Sequence, residues 1–306
     1  METKLVANNF GKVAVLMGGT SNERDISLES GKAILDALHR KKIDAEAIDP
    51  IDNRLEQLKF FDRAFICLHG KDGEDGKIQT FLETINLPYT GSNILASKLG
   101  MDKFKSKTIW KSKSISTPDF LQVNDASQFE EVSKLCGLPF FIKPANSGSS
   151  IGITKVNNSQ EFVIAFETAY KIDKIVIAES TVIGKEYTLP IIHNKPYPII
   201  EINTKTDFYD YEAKYLRDDT EFICPANIIL PTLEKINMEC IEAFNAIGCN
   251  GWGRVDFIID QNNIIYIIEI NTVPGMTTHS LVPMSAKYAG IEFDDLAIMV
   301  LETSND

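Results

Sequence analysis

The sequence of 306 residues predicts an α/β fold, α+β overall, that begins with an open parallel sheet. The first observation is the order strand, helix, strand, strand and helix in the first third of the chain. The second is a pair of turns, Gly18-Gly19 and His69-Gly70, each of which directly follows an apolar run. Because open parallel sheets bind ligands near the carboxyl ends of their strands, both turns are candidate site positions.

The elements of this first part follow from apolar runs and from helical spacing. After the first strand, Ile26, Ile34, Leu35 and Leu38 recur near the spacing that places side chains on one face of a helix. The predicted strands are Lys12–Met17, Ala45–Ile48 and Ala64–Leu68, and a second helix is predicted over about Gly76–Asn86.

The character of the sequence changes near Gly91–Met101, where a lysine-rich segment of helical period, Lys98–Lys113, begins. Several prolines after Glu186 favour antiparallel rather than parallel strands. The polar stretch Asn203–Pro225 is long for a connection, which is typical of a functional lid. The predicted elements are the strands Phe120–Val123, Phe140–Lys143, Ile151–Val156 and Ile175–Glu179, antiparallel strands within Glu186–Glu201, and a helix over Leu233–Ile247.

Composition limits the classes of partner. The formal net charge of −12 argues against nucleic acid or an anionic membrane as the main partner. Five cysteines without a CxxC pair indicate free thiols in a reducing cytoplasm. No apolar run approaches the roughly 20 residues of a membrane helix, so we expect a soluble, cytoplasmic protein.

The most informative pattern is a predicted hairpin of Arg254–Asp260 and Ile264–Asn271 with Asn262-Asn263 as a two-residue turn. This register places Asp256 opposite Glu269 and Arg254 opposite Asn271. All four side chains then share one face. The other face is predicted to carry core residues, which are Val255, Phe257, Ile259, Ile268 and Ile270.

Two adjacent carboxylates repel each other unless a cation lies between them. Asp256, Glu269 and Asn271 supply oxygen donors only, which suits a hard ion such as Mg²⁺. The alternative is a solvated sheet face, on which such pairs contribute about 0–1 kcal/mol. The hairpin by itself leaves both interpretations open.

A second candidate is the small polar loop Gly148-Ser149-Ser150-Ile151-Gly152, which follows Lys143 and Pro144. Free backbone N–H groups and hydroxyls in such a loop can bind phosphate. The loop lacks the GxxxxGK[ST] pattern and precedes a strand, so it is not a P-loop. An ordinary turn of small residues is the alternative.

Together these motifs resemble the ATP-grasp enzymes, and closely the D-alanine–D-alanine ligases, over essentially the whole chain. No single motif is decisive, but all of them in this order are very specific. The segments that carry the resemblance are Leu16–Arg24, Leu68–Gly76, Met101–Lys103, Ile142–Pro144, Gly148–Gly152, Tyr209–Tyr215, Gly253–Asp256, Glu269–Thr277 and His279–Pro283.

The resemblance implies a three-domain ATP-grasp fold with an N-terminal substrate-binding domain over residues 1–100. A small central domain over 101–184 and a C-terminal domain over 185–306, with the metal site and lid loop, would hold ATP between them. The implied reaction joins two D-alanines through an acyl phosphate. The resemblance also implies a homodimer formed through the first domain.

The resemblance assigns the substrate-binding residues as well. Glu23 would receive the ammonium of the first D-alanine and form a hydrogen-bonded set with Ser149 and Tyr215. Arg254 and the Gly275 N–H would stabilise the oxyanion. His69 would line the first subsite, and the carboxylate of the second D-alanine would be bound by Ser280 and Leu281.

The nucleotide and its metals are assigned in the same way. Two Mg²⁺ or Mn²⁺ ions would be held by Asp256, Glu269 and Asn271, and K⁺ is left open as a further cofactor. The chain departs from the family at Ser180, where many members have a lysine. The implied ATP-binding residues are Lys103, Lys143, Ser150, Glu179, Val182, Glu186 and Lys214.

Three other functions compete with this interpretation. A ligase that makes the D-alanyl-D-lactate ester is disfavoured by Tyr215 and by the absence of histidine between His193 and His279. A regulator that binds nucleotide without catalysis is disfavoured because the implied catalytic residues are present together. A dinucleotide-dependent oxidoreductase is disfavoured because Gly18-Gly19 is not a GxGxxG motif.

Overall fold

The structure is a computed structural model that describes residues 10–52, 54–204 and 220–305. The described strands are β1 Val13–Leu16, β2 Ala45–Ile48, β3 Arg63–Ile66, β4 Phe120–Val123, β5 Phe140–Pro144, β6 Thr154–Val156, β7 Val176–Ser180, β8 Gly184–Ile192, β9 Lys195–Pro196, β10 Ile200–Asn203, β11 Glu221–Ile223, β12 Trp252–Asp260 and β13 Ile265–Asn271. The described α-helices are α1 Arg24–Arg40, α2 Lys77–Thr84, α3 Ile94–Met101, α4 Lys103–Ser112, α5 Phe129–Cys136, α6 Ser159–Ile172, α7 Leu230–Ala246, α8 Leu281–Tyr288 and α9 Phe293–Glu302.

Within the described residues the strands form three sheets, so the mixed α/β class predicted from the sequence is confirmed. The first is a parallel sheet in the order β2-β1-β3. The second is antiparallel in the order β4-β7-β5-β6. The third has the order β11-β10-β8-β12-β13, with β9 paired to β8. The predicted domain boundaries stay a proposal: the one at residue 100 lies within α3, and the one at residue 184 coincides with the first residue of β8.

The last helix, α9, packs against the first sheet. Leu296, Ala297, Val300 and Leu301 of α9 belong to the same buried core as β1 and β3. This packing brings the chain that follows β13 back across the glycine turns of the first sheet, and thereby places two distant parts of the sequence on one cavity.

The predicted hairpin register is confirmed where it matters for the site. Asp256 lies opposite Glu269 and Arg254 lies opposite Asn271. The predicted two-residue turn is wrong, because Asp260 pairs with Ile264 through its N–H and a three-residue loop that ends in left-handed Asn263 joins the strands.

A β-bulge at Ile268 compensates for the longer turn. The register shifts by one residue between Asp256 and Phe257, so that Phe257 pairs with Ile267. Ile267 therefore takes the buried position predicted for Ile268, which is partly exposed. The bulge restores the register on which the metal prediction depends.

Two other predicted elements differ from the structure. The helical segment predicted over Lys98–Lys113 is two helices that are broken at Asp102, whose side chain caps α4 by accepting the Lys105 N–H at 3.0 Å. The strand predicted over Ile151–Val156 begins only at Thr154, because Gly152 has a positive φ of 80°.

All five cysteines carry free thiols. In the described ranges, no helix combines the length and the apolar character needed to cross a membrane.

We expect Phe140→Ala to lower the free energy of unfolding by about 3–5 kcal/mol, the usual loss for a truncated core phenylalanine. Phe140 is fully buried and packs against Phe129 and Phe162, with ring centroids 6.2 and 5.9 Å away. Urea unfolding measures the change. Phe60→Ala is the control, because Phe60 is 69% exposed and should change the free energy by less than about 0.5 kcal/mol. Equal losses in the two variants would contradict the assignment of this core.

Candidate active site

A cavity of about 490 Å³ lies where the turns after β1 and β3 meet the end of β13 and the start of α8. Its walls combine residues from the first third of the chain, such as Glu23 and His69, with residues from the last third, such as Arg254 and Ser280. Ten of the residues predicted from the sequence line this cavity, namely Glu23, His69, Lys103, Ser149, Arg254, Glu269, Asn271, Gly275, Ser280 and Leu281.

Glu23 is the N-cap residue of α1 and lies in the glycine-containing turn after β1. Its carboxylate accepts a hydrogen bond from the Ser149 hydroxyl, which belongs to the second sheet's loop. The carboxylate also lies close to Gly70 and Gly148, and a Cβ at Gly148 would be 3.2 Å from Glu23 Oε2. Small residues on two loops therefore leave room for one carboxylate between them.

His69 is buried beside Glu23, and its ring is held by two hydrogen bonds. Nδ1 lies 2.9 Å from the Val273 carbonyl oxygen and Nε2 lies 3.3 Å from Ser30 Oγ. A carbonyl oxygen only accepts, so Nδ1 carries the proton. Burial lowers the pKa of His69 despite the opposing influence of the Glu23 charge and of the Val273 hydrogen bond, so the ring is neutral at neutral pH.

Glu74 is a cavity residue that the sequence interpretation did not assign. Its Oε2 accepts the Gly70 N–H at 2.7 Å and its Oε1 accepts the Val273 N–H at 3.2 Å. Burial and the nearby Glu23 carboxylate raise the pKa of Glu74 to about 8, against the influence of these two donors. Glu74 therefore links the turn after β3 to the loop after β13.

Arg254 and Asp256 form a bidentate, half-buried ion pair on the face of β12 that meets the cavity. Nε donates to Oδ1 and Nη2 donates to Oδ2, both at 2.8 Å. Thr188 Oγ1 donates to Asp256 Oδ1 at 2.6 Å, and Asn271 Nδ2 donates to Oδ2 at 3.0 Å. These two parallel bonds fix the plane of the guanidinium.

Glu269 lies opposite Asp256 and pairs with Lys103 from α4. Lys103 Nζ lies 3.1 Å from Glu269 Oε2 and donates to the Ser147 carbonyl at 2.8 Å. One buried lysine therefore connects the carboxylate face of the third sheet to the small polar loop of the second sheet.

The loop after β13 supplies the remaining cavity wall. Ser280 is the N-cap residue of α8, and its Oγ accepts the Thr277 N–H at 2.9 Å. A Cβ at Gly275 would lie 2.9 Å from Ser280 Oγ, so a larger residue would displace this hydroxyl. Leu281 forms the first turn of α8, whose N-terminal N–H groups favour an anion.

Several of the residues predicted to bind nucleotide lie outside this cavity, in or near the second sheet. Glu179 is buried under Lys143, which is bonded to its Oε1, and Lys107, which lies 2.6 Å from its Oε2. Burial by itself raises the pKa of Glu179, but the two lysines outweigh burial and hold that pKa below its ordinary value. Burial lowers the pKa of Lys107 to about 8, against the charge of Glu179.

The other predicted nucleotide residues are more dispersed. Ser150 lies in the small polar loop next to Ser149, and both residues have positive φ angles, of 58° and 52°. Val182 lies between β7 and β8, and Glu186 lies on β8 opposite Ile258. Lys214 and Tyr215 lie outside the described residues, as does most of the predicted lid loop.

The predicted metal ligands form an oxygen-donor set on one sheet face. Asp256, Glu269 and Asn271 come together by register, and cations already accompany both carboxylates in the form of Arg254 and Lys103. Among the described residues, no group of three or more His, Cys, Asp or Glu side chains is arranged to hold a metal. The set of two carboxylates and one amide nevertheless fits a hard divalent cation.

Three of the residues that the sequence interpretation missed had a signal in the sequence. Glu74 lies within the motif Leu68–Gly76, and Lys107 follows Lys103 by one helical turn. Ser30 lies on the inner face of α1, one turn after the buried Ser27. Thr188 had no such signal, because it lies outside every segment that carries the family resemblance.

Comparisons with known proteins place the whole chain in one family. A family model described as "D-ala D-ala ligase C-terminus" matches residues 109–302, and one described as "D-ala D-ala ligase N-terminus" matches residues 46–92. A D-alanine–D-alanine ligase from Dechloromonas aromatica is 49% identical over 98% of this chain and all of its own length. One from Nitrosomonas eutropha is 49% identical over 97% of each chain.

Solved structures agree with these sequence comparisons. A D-alanine–D-alanine ligase from Bacillus anthracis, complexed with ATP, has a TM-score of 0.86 and 33% identity over 96% of this chain and 97% of its own. A D-Ala:D-Ser ligase from Enterococcus faecalis has a TM-score of 0.85 and 28% identity over 96% of this chain and 99% of its own. The chain therefore belongs to the D-alanine–D-alanine ligase family.

Proposed function

We propose that the chain joins two D-alanines into D-alanyl-D-alanine, a peptidoglycan precursor, and uses ATP to do so. The γ-phosphoryl group of ATP passes to the carboxylate of the first D-alanine, and ADP leaves. The amine of the second D-alanine attacks the acyl phosphate, loses a proton, and displaces phosphate from a tetrahedral intermediate. The observation that carries this proposal is one cavity that holds Glu23, Lys103, Arg254 and Ser280 together.

The first subsite is built around Glu23. Its carboxylate binds the ammonium of the first D-alanine, and the hydrogen bond from Ser149 orients that carboxylate. Neutral His69 adds no second positive charge beside the ammonium. Tyr215, the third member of the predicted hydrogen-bonded set, stays a prediction.

The second subsite lies at the N-terminus of α8. Ser280 and Leu281 bind the carboxylate of the second D-alanine, where the helix dipole and unpaired N–H groups favour negative charge. Glu23 and the start of α8 line the same cavity, which supports the placing of two short zwitterions in it.

The oxyanion of the tetrahedral intermediate is stabilised by Arg254 and by the Gly275 N–H. A pre-organised donor of this kind contributes about 3–4 kcal/mol to the barrier. The ion pair with Asp256 supports this role, because it fixes the Arg254 guanidinium before substrate arrives.

ATP lies between the second and third sheets in this proposal. Lys103 and Lys143 hold phosphate oxygens, together with Lys214 of the lid and the small loop at Ser150. Glu179 accepts from the adenine amino group, Val182 offers backbone hydrogen bonds to the base, and Glu186 accepts from the ribose. The contacts of Lys103 with both Glu269 and Ser147 support a position near the phosphates.

Asp256, Glu269 and Asn271 are proposed as the residues that would hold two Mg²⁺ or Mn²⁺ ions. When bound, such ions neutralise charge on the β- and γ-phosphates. The oxygen-only donor set on adjacent strands supports this assignment. A contribution from K⁺, the homodimer and the cytoplasmic location also stay predictions.

We expect dipeptide rather than ester as the main product when D-alanine and D-lactate compete as the second substrate at neutral pH. This expectation rests on the role predicted for Tyr215 and on the absence of histidine between His193 and His279. Mass spectrometry of the products provides the measurement, with D-serine as a further competitor. A predominant ester or D-alanyl-D-serine product would refute the assignment of D-alanyl-D-alanine as the product.

We expect Glu269→Ala to lower D-alanine-dependent phosphate release by at least about 100-fold, as removal of a charge-stabilising group does. Electron paramagnetic resonance should also detect weaker Mn²⁺ binding in the presence of ADP. Glu130→Ala is the control, since Glu130 is an exposed glutamate at the start of α5. Near-normal turnover and Mn²⁺ binding in Glu269→Ala would refute the metal assignment.

A further inference from the structure

We propose that Ser30, His69 and Glu74 are positioning residues that hold the loop Thr272–Thr277 and thereby aim the Gly275 N–H. This inference rests on the proposed function, in which that N–H stabilises an oxyanion. The three side chains come from α1 and from the turn after β3, whereas the loop follows β13 of another sheet. One part of the fold therefore sets the geometry of a donor that belongs to another.

Both backbone groups of Val273 are bound by the turn after β3. The Val273 N–H donates to Glu74 Oε1 at 3.2 Å, and the Val273 carbonyl accepts from His69 Nδ1 at 2.9 Å. The N–H and carbonyl of one residue point in different directions, so two partners fix its orientation as well as its position.

Ser30 binds the loop on the other side of Gly275. The Met276 N–H donates to Ser30 Oγ at 3.0 Å. The Ser30 hydroxyl hydrogen is then available to donate to His69 Nε2, 3.3 Å away, which is the accepting nitrogen when Nδ1 carries the proton. Hydrogen bonds thus run from Met276 through Ser30 and His69 to Val273.

Glu74 closes this network at the base of the turn. Its second oxygen, Oε2, accepts the N–H of Gly70, the residue that follows His69, at 2.7 Å. One side chain therefore connects Gly70 to Val273. Both Glu74 oxygens accept backbone N–H groups, which is an arrangement for holding backbone.

The consequence falls on Gly275, because Val273 and Met276 flank the Pro274-Gly275 dipeptide on both sides. Oxyanion stabilisation depends on where the donor points before the charge develops. Ser30 itself is fully buried and does not line the cavity. Its effect on the reaction must therefore act through the loop rather than through contact with substrate.

The test compares Ser30→Ala with Ser285→Ala. Ser285 is also fully buried, and its hydroxyl donates to the Pro198 carbonyl at 2.7 Å, away from the loop. Each variant loses one buried hydroxyl. The Ser30 hydroxyl donates to the His69 ring, and the Ser285 hydroxyl donates to the Pro198 carbonyl. We expect Ser30→Ala to lower kcat about tenfold, less than outright loss of an oxyanion donor, with KM for ATP changed by less than about twofold.

Glu74→Gln provides an independent variant of nearly the same shape. Its amide oxygen can accept one of the two N–H groups, while the amide nitrogen faces the other, so kcat should fall by a similar factor. The double variant should lose less than the product of the two single losses, because both side chains hold one loop. A phosphinate analogue of the dipeptide should bind more weakly by the factor that kcat loses.

Wild-type enzyme assayed alongside separates the two hypotheses. If the wild type forms no D-alanyl-D-alanine, the proposed function fails. If the wild type is active and Ser30→Ala and Glu74→Gln keep kcat within about twofold of it, the positioning role is refuted. An equal kcat loss in Ser285→Ala, or losses that multiply in the double variant, would also overturn it. If Ser30→Ala does not fold, Glu74→Gln decides on its own.

Discussion

The pairing of β12 with β13 is the constraint on which the rest of the site depends. It sets Asp256 opposite Glu269, and each carboxylate then recruits a cation, Arg254 in one case and Lys103 in the other. Isolated carboxylates at this spacing would repel each other. The sheet can hold them together because a basic residue from the same strand and one from α4 offset that repulsion before any ligand binds.

Lys103 and Lys107 extend this charge arrangement into the second sheet. Both project from α4 and are buried, one against Glu269 and the other against Glu179. A buried ion pair is costly to break because it leaves a charge without its partner. The short helix α4 therefore carries two cations, one paired with a carboxylate of the third sheet and one with a carboxylate of the second sheet. The proposed ATP site lies between these two sheets.

The substrate end of the site is organised differently, by hydrogen bonds to backbone. Neutral His69 and buried Glu74 bind peptide groups of the loop after β13 rather than facing open solvent. In the proposed function, the charged groups Glu23 and Arg254 are the ones that contact charged parts of the substrates. This division explains why several cavity residues of titratable type serve to hold backbone in place.

The sequence by itself determined the fold class, the strand-end turns, and the face on which Asp256 and Glu269 lie, because alternation along strands is local. Their pairing was predicted from a two-residue turn, and it is correct because the bulge compensates for the longer loop. The sequence did not determine the bulge at Ile268, the break at Asp102, or the partners of Ser30, Glu74 and Thr188. Those depend on contacts between residues far apart in the chain, such as Ser30 and Met276. Only tertiary packing decides which buried donor meets which acceptor, since each must find a partner and many sequence-compatible partners exist.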